Sequence, residues 1–203
     1  MFELFLIRHG QTDWNVERRV MGDKPIPLNT VGRAQARALA KGLKDIQFDA
    51  VYSSPVKRAI QTVQPILKGR DTISLFEEPG FAEINYGDWT GRLFSEITEL
   101  KGYFEQPLNV PIPNGELLAD VQKRAISAIE NMRLKHSNGR ILGISHADVI
   151  KLVVVYYLGL GFNDMNKFRI DNASLTVFHF NAVKNPRMIV ANCVSDWQKY
   201  CHL

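Results

Sequence analysis

Phe2-Glu-Leu-Phe-Leu-Ile7, followed at once by Arg8-His9-Gly10, is the stretch that decides the fold. Six residues, short and apolar, read as a buried strand, and the basic pair ends it. Working outward, Thr30 to Leu43 opens with a capping candidate, Thr30, and continues in strong helix formers. Val31, Ala34, Ala38 and Leu39 keep helical spacing and give the expected apolar face. Asp49-Ala-Val-Tyr-Ser53 is a second short strand. Ser54-Pro55 then reads as N-cap and first helical position of a helix running to about Leu67. Thr72 to Leu75 is a third strand candidate. Glu116 to about Leu134 is a long amphipathic helix, Arg140 to Ser145 a buried strand, and Asp148 to Tyr157 a helix behind it. Leu175–Phe180 and Met188–Cys193 are the last strands. Strand alternating with helix predicts an α/β fold, a three-layer α/β/α sandwich around a mostly parallel central sheet. Residues 76–115 break the pattern. They hold Pro79, Pro107, Pro111, Pro113 and several glycines, with one helix expected near Phe94 to Leu100. They read as a lid inserted into a single domain spanning 1–203.

Ligands of open α/β sheets bind beyond the carboxyl ends of the strands. At those ends stand Arg8-His9, Ser53-Ser54 with Arg58 one turn onward, and Ser145-His146. Two arginines and two histidines from distant segments thus face one edge, with a helix N-terminus beside them. Such a cluster repels itself unless it holds an anion, and Arg suits bidentate phosphate recognition. A neutral imidazole can take a phosphoryl group covalently, and a protonated one can stabilise its equatorial oxygens. The leaving alkoxide needs a proton. Glu83, in the acidic insert, is the leading candidate, its pKa raised by burial beside a phosphate dianion.

The chain has 203 residues, 45% hydrophobic and 23% charged, with 14 Gly and 9 Pro. These are globular proportions, with no collagen-like repeat or disordered tail. The longest apolar run, Leu152 to Phe162, is too short to span a bilayer, so no membrane partner is expected. Glu3 and Arg8 flank a run too short for a secretory leader. Cys193 and Cys201 make no metal or disulfide framework, and a reducing cytoplasm is the simplest setting. The net charge is +4 and the pI about 9.1. By segment, residues 1–70 carry +6, residues 71–120 carry −8 and residues 121–203 carry +6. A nucleic-acid binder gathers its cations in one stripe, and this distribution argues against one.

The motifs resemble those of the histidine phosphatase superfamily, which includes cofactor-dependent phosphoglycerate mutases. The likeness rests on Leu6-Ile-Arg-His-Gly-Gln-Thr-Asp-Trp-Asn15, Ser53-Ser-Pro-Val-Lys-Arg-Ala-Ile-Gln-Thr62 and Glu83-Ile-Asn-Tyr-Gly-Asp-Trp-Thr-Gly91. Pro113-Asn-Gly-Glu116, Ser145-His146 and Asn172-Ala-Ser174 continue it in the family's order. The resemblance implies that His9 is the phosphorylated nucleophile, that Arg8, Arg58 and His146 form the phosphate pocket with Asn15, and that Glu83 is the proton donor. It implies that Gly10 lets the backbone turn tightly, and that neither metal nor cofactor is needed. Ala147 stands where the family usually has Gly, and Leu117 where it often has Ser. Ile84-Asn85 replaces a basic pair typical of the mutase branch, and the longer mutase insert is lacking.

Those departures favour a phosphatase acting on a small phosphorylated metabolite over a mutase moving phosphate within one substrate. A non-catalytic phospholigand or nucleic-acid binder is the remaining alternative, and intact catalytic residues speak against it. His136, His179 and His202 read as ordinary hydrogen-bonded histidines. Trp14 and Trp89 read as packing anchors, with Trp89 also able to line the mouth. Arg18, Arg19, Lys24 and Arg92 read as solvated cations able to attract a phosphate ester. The assembly state is left open, a homodimer among the alternatives.

Overall fold

A computed structural model describes residues 1–181 and 186–195. Six strands form one sheet: β1 (Phe2–Arg8), β2 (Ala50–Ser53), β3 (Leu75–Glu77), β4 (Arg140–Ser145), β5 (Leu175–Phe180) and β6 (Arg187–Cys193). Their order is β3-β2-β4-β1-β5-β6. The first four are parallel; β5 runs antiparallel to β1, and β6 runs antiparallel to β5, so β6 points the same way as the first four. Alternation along β1 sends Phe2, Leu4 and Leu6 to one face and Phe5 and Ile7 to the other, and both faces are buried. Against the first face pack α5 (Leu118–Lys135) and α6 (Ala147–Tyr157); against the second pack α2 (Thr30–Gly42) and α3 (Lys57–Leu67). This is the expected three-layer sandwich. Each fully buried Ile or Val of the sheet is worth roughly 1.5–3 kcal/mol. Among the described residues no helix is long and apolar enough to cross a membrane.

Several local readings change. In α2 the buried positions are Gly32, Ala36 and Leu39, followed by Leu43, whereas Val31, Ala34 and Ala38 face solvent. The reason is steric. A Cβ on Gly32 would lie 2.0 Å from the Gln11 carbonyl, so the helix approaches the loop after β1 through its smallest residue. The cap is Asn29, whose side chain accepts from Gly32 N at 2.9 Å, and Thr30 is the first helical residue. Helix α3 begins at Lys57 rather than Pro55, because Val56 is extended. Ser54 is no N-cap, since it lies two residues before the cap position at Val56; its hydroxyl meets His146 at 2.8 Å and accepts from Val56 N at 3.3 Å. The third strand starts at Leu75, three residues later than expected, and pairs Leu75 with Val51.

The insert holds short turns at Pro79–Phe81, Gly87–Trp89 and Phe94–Glu96, and a helix, α4, at Leu100–Glu105 instead of 94–100. Its Phe81, Ile84, Trp89, Ile97 and Tyr103 belong to the same apolar cluster as Leu4, Leu6 and Val149.

Strand register builds the site. Arg8 lies opposite Ser145, and Ser53 opposite Ile144. Three chains therefore leave the sheet at one level, and the next residues, His9, His146 and Ser54, emerge together.

Candidate active site

His9 is buried. Its Nδ1 lies 2.7 Å from Gly10 O, a pure acceptor, so Nδ1 carries the hydrogen and Nε2 presents a lone pair. Arg58 Nε donates to that lone pair at 3.2 Å. Burial, with the Arg58 and Arg8 charges, holds the His9 imidazole well below its usual pKa range. His146 is arranged in mirror fashion. Arg58 Nη2 donates to its Nδ1 at 3.1 Å, so Nε2–H is left to donate to Ser54 Oγ. The two rings stand 5.2 Å apart. Burial, then Arg58, also pushes His146 well down. Both histidines are neutral in the unliganded site, whereas a protonated second histidine was one expectation from sequence.

Arg58 is the hub. Besides the two histidines, Nη2 donates to Gly22 O at 2.8 Å and Nη1 to Lys24 O at 3.1 Å. Its Nη2 is also 3.4 Å from Glu83 Oε2. Arg8 donates from Nη1 to Ile170 O at 2.7 Å, while its buried Nε finds no partner among the described residues. Burial lowers both guanidiniums from their very high ordinary pKa, and they stay cationic. An unmet donor beside a crowded cation is what an incoming anion would complete.

Glu83 accepts from Ile84 N at 3.1 Å through Oε1 and lies 3.4 Å from His146 Nδ1 through Oε2. Burial raises its pKa against the pull of Arg58. Burial is the cause inferred from sequence, and the direction of the shift agrees with it. Asn15 Oδ1 is taken by Thr12 N, Thr12 Oγ1 and Asn172 Nδ2, which leaves its own Nδ2 as the donor for a ligand. Asn172 Nδ2 also holds His9 O at 3.1 Å. Gly10 has no positive φ; its requirement is close approach, since a Cβ there would meet Gly32 O at 2.7 Å.

All six predicted site residues thus gather at one edge. Two participants went unassigned in the sequence. Ser54 Oγ meets His146 Nε2 at 2.8 Å and holds the ring in place, and Thr62 Oγ1 accepts from Gly10 N at 2.9 Å while donating to Arg58 O at 2.7 Å. Both lay inside a quoted motif, the only signal available.

In front of these residues opens a cavity of about 380 Å³, lined by Arg8, Asn15, Glu83, Tyr86, Asp148 and Lys151 among others. Asp148 accepts from Tyr86 OH at 2.7 Å and pairs with Lys151 at 3.0 Å. Trp14 lines the mouth beneath Arg19, whereas Trp89 is a buried anchor against Tyr103. Arg18 also lines it, while Lys24 contributes only its carbonyl to Arg58. Arg92 donates to Glu96 O outside it. Further away, His136 bonds Tyr52 OH and His179 pairs with Glu3; His202 and Cys201 lie outside the described residues.

His9, Glu83 and His146 bring potential ligand atoms within 4.8 Å of one another. A cation among them would meet the Arg58 guanidinium at contact distance, so the triangle suits an anion.

A family model described as histidine phosphatase superfamily (branch 1) matches residues 4–192. Phosphoserine phosphatase 1 of Hydrogenobacter thermophilus is 31% identical over 190 residues, covering 91% of this chain and 90% of that one. Among solved structures, a phosphoserine phosphatase mutant from Entamoeba histolytica in complex with phosphoserine is 28% identical, with a TM-score of 0.86 over 97% of this chain and 99% of that one. Bacillus stearothermophilus YhfR, 28% identical, superposes with a TM-score of 0.90 over 97% of this chain and 100% of that one. With an imidazole pair, two guanidiniums and a buried carboxyl converging where its motifs fall, this chain belongs to the histidine phosphatase superfamily, branch 1, and is a phosphomonoesterase.

Proposed function

We propose that His9 carries the phosphoryl group during hydrolysis of a small phosphomonoester whose leaving group bears both charge signs, with O-phosphoserine as the reference compound. One observation carries the reading: the Arg58 guanidinium touches His9 Nε2, His146 Nδ1 and Glu83 Oε2 at once, at 3.2, 3.1 and 3.4 Å. The charge preference is supported by the Asp148–Lys151 pair on the cavity wall and by relatives named for phosphoserine.

The substrate phosphate takes Arg58, Arg8 and Asn15 as donors, freeing the His9 lone pair. Nε2 attacks phosphorus, the bond to the ester oxygen breaks, and protonated Glu83 gives its proton to the leaving alkoxide. Positive charge gained by the His9 ring is held by its Nδ1–H bond to Gly10 O. A water then attacks phosphorus, Glu83 takes its proton, and inorganic phosphate leaves with His9 neutral again. A dianion against His146 Nδ1 favours protonation there, converting an acceptor into a donor. Ile84 is buried and apolar and Asn85 is uncharged, so the basic pair of the mutase branch has no counterpart here, which supports hydrolysis over transfer. One domain over 1–203, with 76–115 roofing the cavity, and a reducing cytoplasmic setting belong to the same proposal.

The test is to quench the enzyme during turnover of phosphoserine and map the adduct. An acid-labile, alkali-stable phosphate on His9, with chelator-insensitive release and at least ~10³-fold loss in His9→Ala, is expected. A label on another residue, or an active His9→Ala, overturns the reading.

A further inference from the structure

The Glu83 loop is held from behind by one guanidinium. Arg124, on α5, donates from Nη1 to Gly80 O at 2.9 Å and Ala82 O at 2.8 Å, with Pro79 O at 3.4 Å. Its Nη2 donates to Glu83 O at 3.2 Å. The intervening carbonyl, Phe81 O, accepts from Ser145 Oγ at 2.8 Å, beside His146. Five successive carbonyls, Pro79 to Glu83, are therefore fixed, four of them by a single side chain. The guanidinium is itself held by Glu116, through Nε at 2.7 Å and Nη2 at 3.0 Å. Glu116 also ties down the next turn: Asn85 N donates to its Oε2 at 3.3 Å, and Glu116 N donates to Asn85 O at 2.8 Å. The loop presses close, since a Cβ on Gly80 would lie 2.8 Å from Arg124 O.

Arg124 does not line the cavity. A planar fork that grips a run of carbonyls does what a lysine point charge cannot. We propose that Arg124, held by Glu116, is a positioning residue that sets where the Glu83 carboxyl stands, and so governs proton delivery to the leaving group rather than phosphate capture. The inference rests on Glu83 being the proton donor. Loosening the clamp lets the carboxyl drift toward water, and displacement of a reacting group by about 1 Å can cost on the order of 10²-fold in rate.

The experiment is a leaving-group series, from nitrophenyl phosphate to alkyl phosphates, on wild type, Glu83→Gln, Arg124→Gln, Arg124→Lys, Glu116→Gln and the Glu83→Gln/Arg124→Gln double variant. In Arg124→Gln, kcat/KM on alkyl phosphates, which reports phosphorylation of His9 and not the later water step, should fall ~10–100-fold. The nitrophenyl ester should lose far less kcat/KM, and the inhibition constant of inorganic phosphate should change little. The alkaline limb of its pH profile should move to lower pH as Glu83 becomes wetter. Arg124→Lys and Glu116→Gln should show the same pattern in smaller measure. In the Glu83→Gln background, Arg124→Gln should leave the alkyl-to-aryl ratio unchanged. Equal losses on all substrates in Arg124→Gln, while Glu83→Gln remains selective, would overturn the positioning role and spare Glu83 as donor. An unselective Glu83→Gln would remove the donor reading and this inference with it. If Arg124→Gln does not fold, an unselective Arg124→Lys overturns the proposal equally.

Discussion

Glu83 is useful as an acid only while its carboxyl keeps a proton. Burial raises its pKa, so the protonated form persists to higher pH than in an ordinary carboxyl and is lost as pH rises through that raised value. The kcat/KM of an alkyl phosphate should therefore decline on the alkaline side. Glu83→Gln should abolish that limb and cost ~10²–10⁴-fold on alkyl esters, but little on nitrophenyl phosphate. A steady-state pH series on both substrates checks this. Burial displaces the His9 pKa downward, so its neutral form persists to lower pH than that of an ordinary imidazole. At this scale the sequence was most legible where chemistry and strand ends coincide, as at Arg8, His9 and His146. Ser54, Thr62 and Arg124 escaped because they act on backbone groups or on other side chains. Such partners are set by strand register and loop path, which residue type does not announce.

Helix α2 and the loop after β1 meet through Gly10 and Gly32, and neither has room for a methyl group. Gly32→Ala should cost roughly 1–3 kcal/mol through overpacking. A thermal melt should fall by about 2–4 °C for each kcal/mol in a chain of this length. Val31→Ala, on the exposed face of the same helix, should stay within about 0.5 kcal/mol of wild type. The comparison also shows why hydropathy chose the wrong face. Apolar size marked Val31, Ala34 and Ala38, but the helix needed its smallest residue toward the catalytic loop. Strands β4 and β5 were read to the residue, because a buried strand bounded by Gly, Ser or Asn leaves little freedom. The start of α3 was misread, since Ser-Pro resembles a cap but the cap position falls two residues after Ser54, at Val56.

Across the molecule, the site draws on the loops after β1, β2 and β4, on the acidic insert and on Asn172 before β5. The insert shares its core with the sheet. Urea titrations followed by activity and by far-UV circular dichroism should therefore give one midpoint. Activity lost at clearly lower urea would show that 76–115 detaches before the sandwich melts. The antiparallel β5–β6 edge was less visible, because period-two apolar runs carry no strand direction. Arg58 Nε rests on the lone pair of His9 Nε2 that attacks phosphorus in the proposed mechanism. The reactive nitrogen is sheathed until an arriving dianion draws the guanidinium onto itself, so stray electrophiles in the cell meet an atom already engaged, and only a molecule bearing the right charge uncovers it.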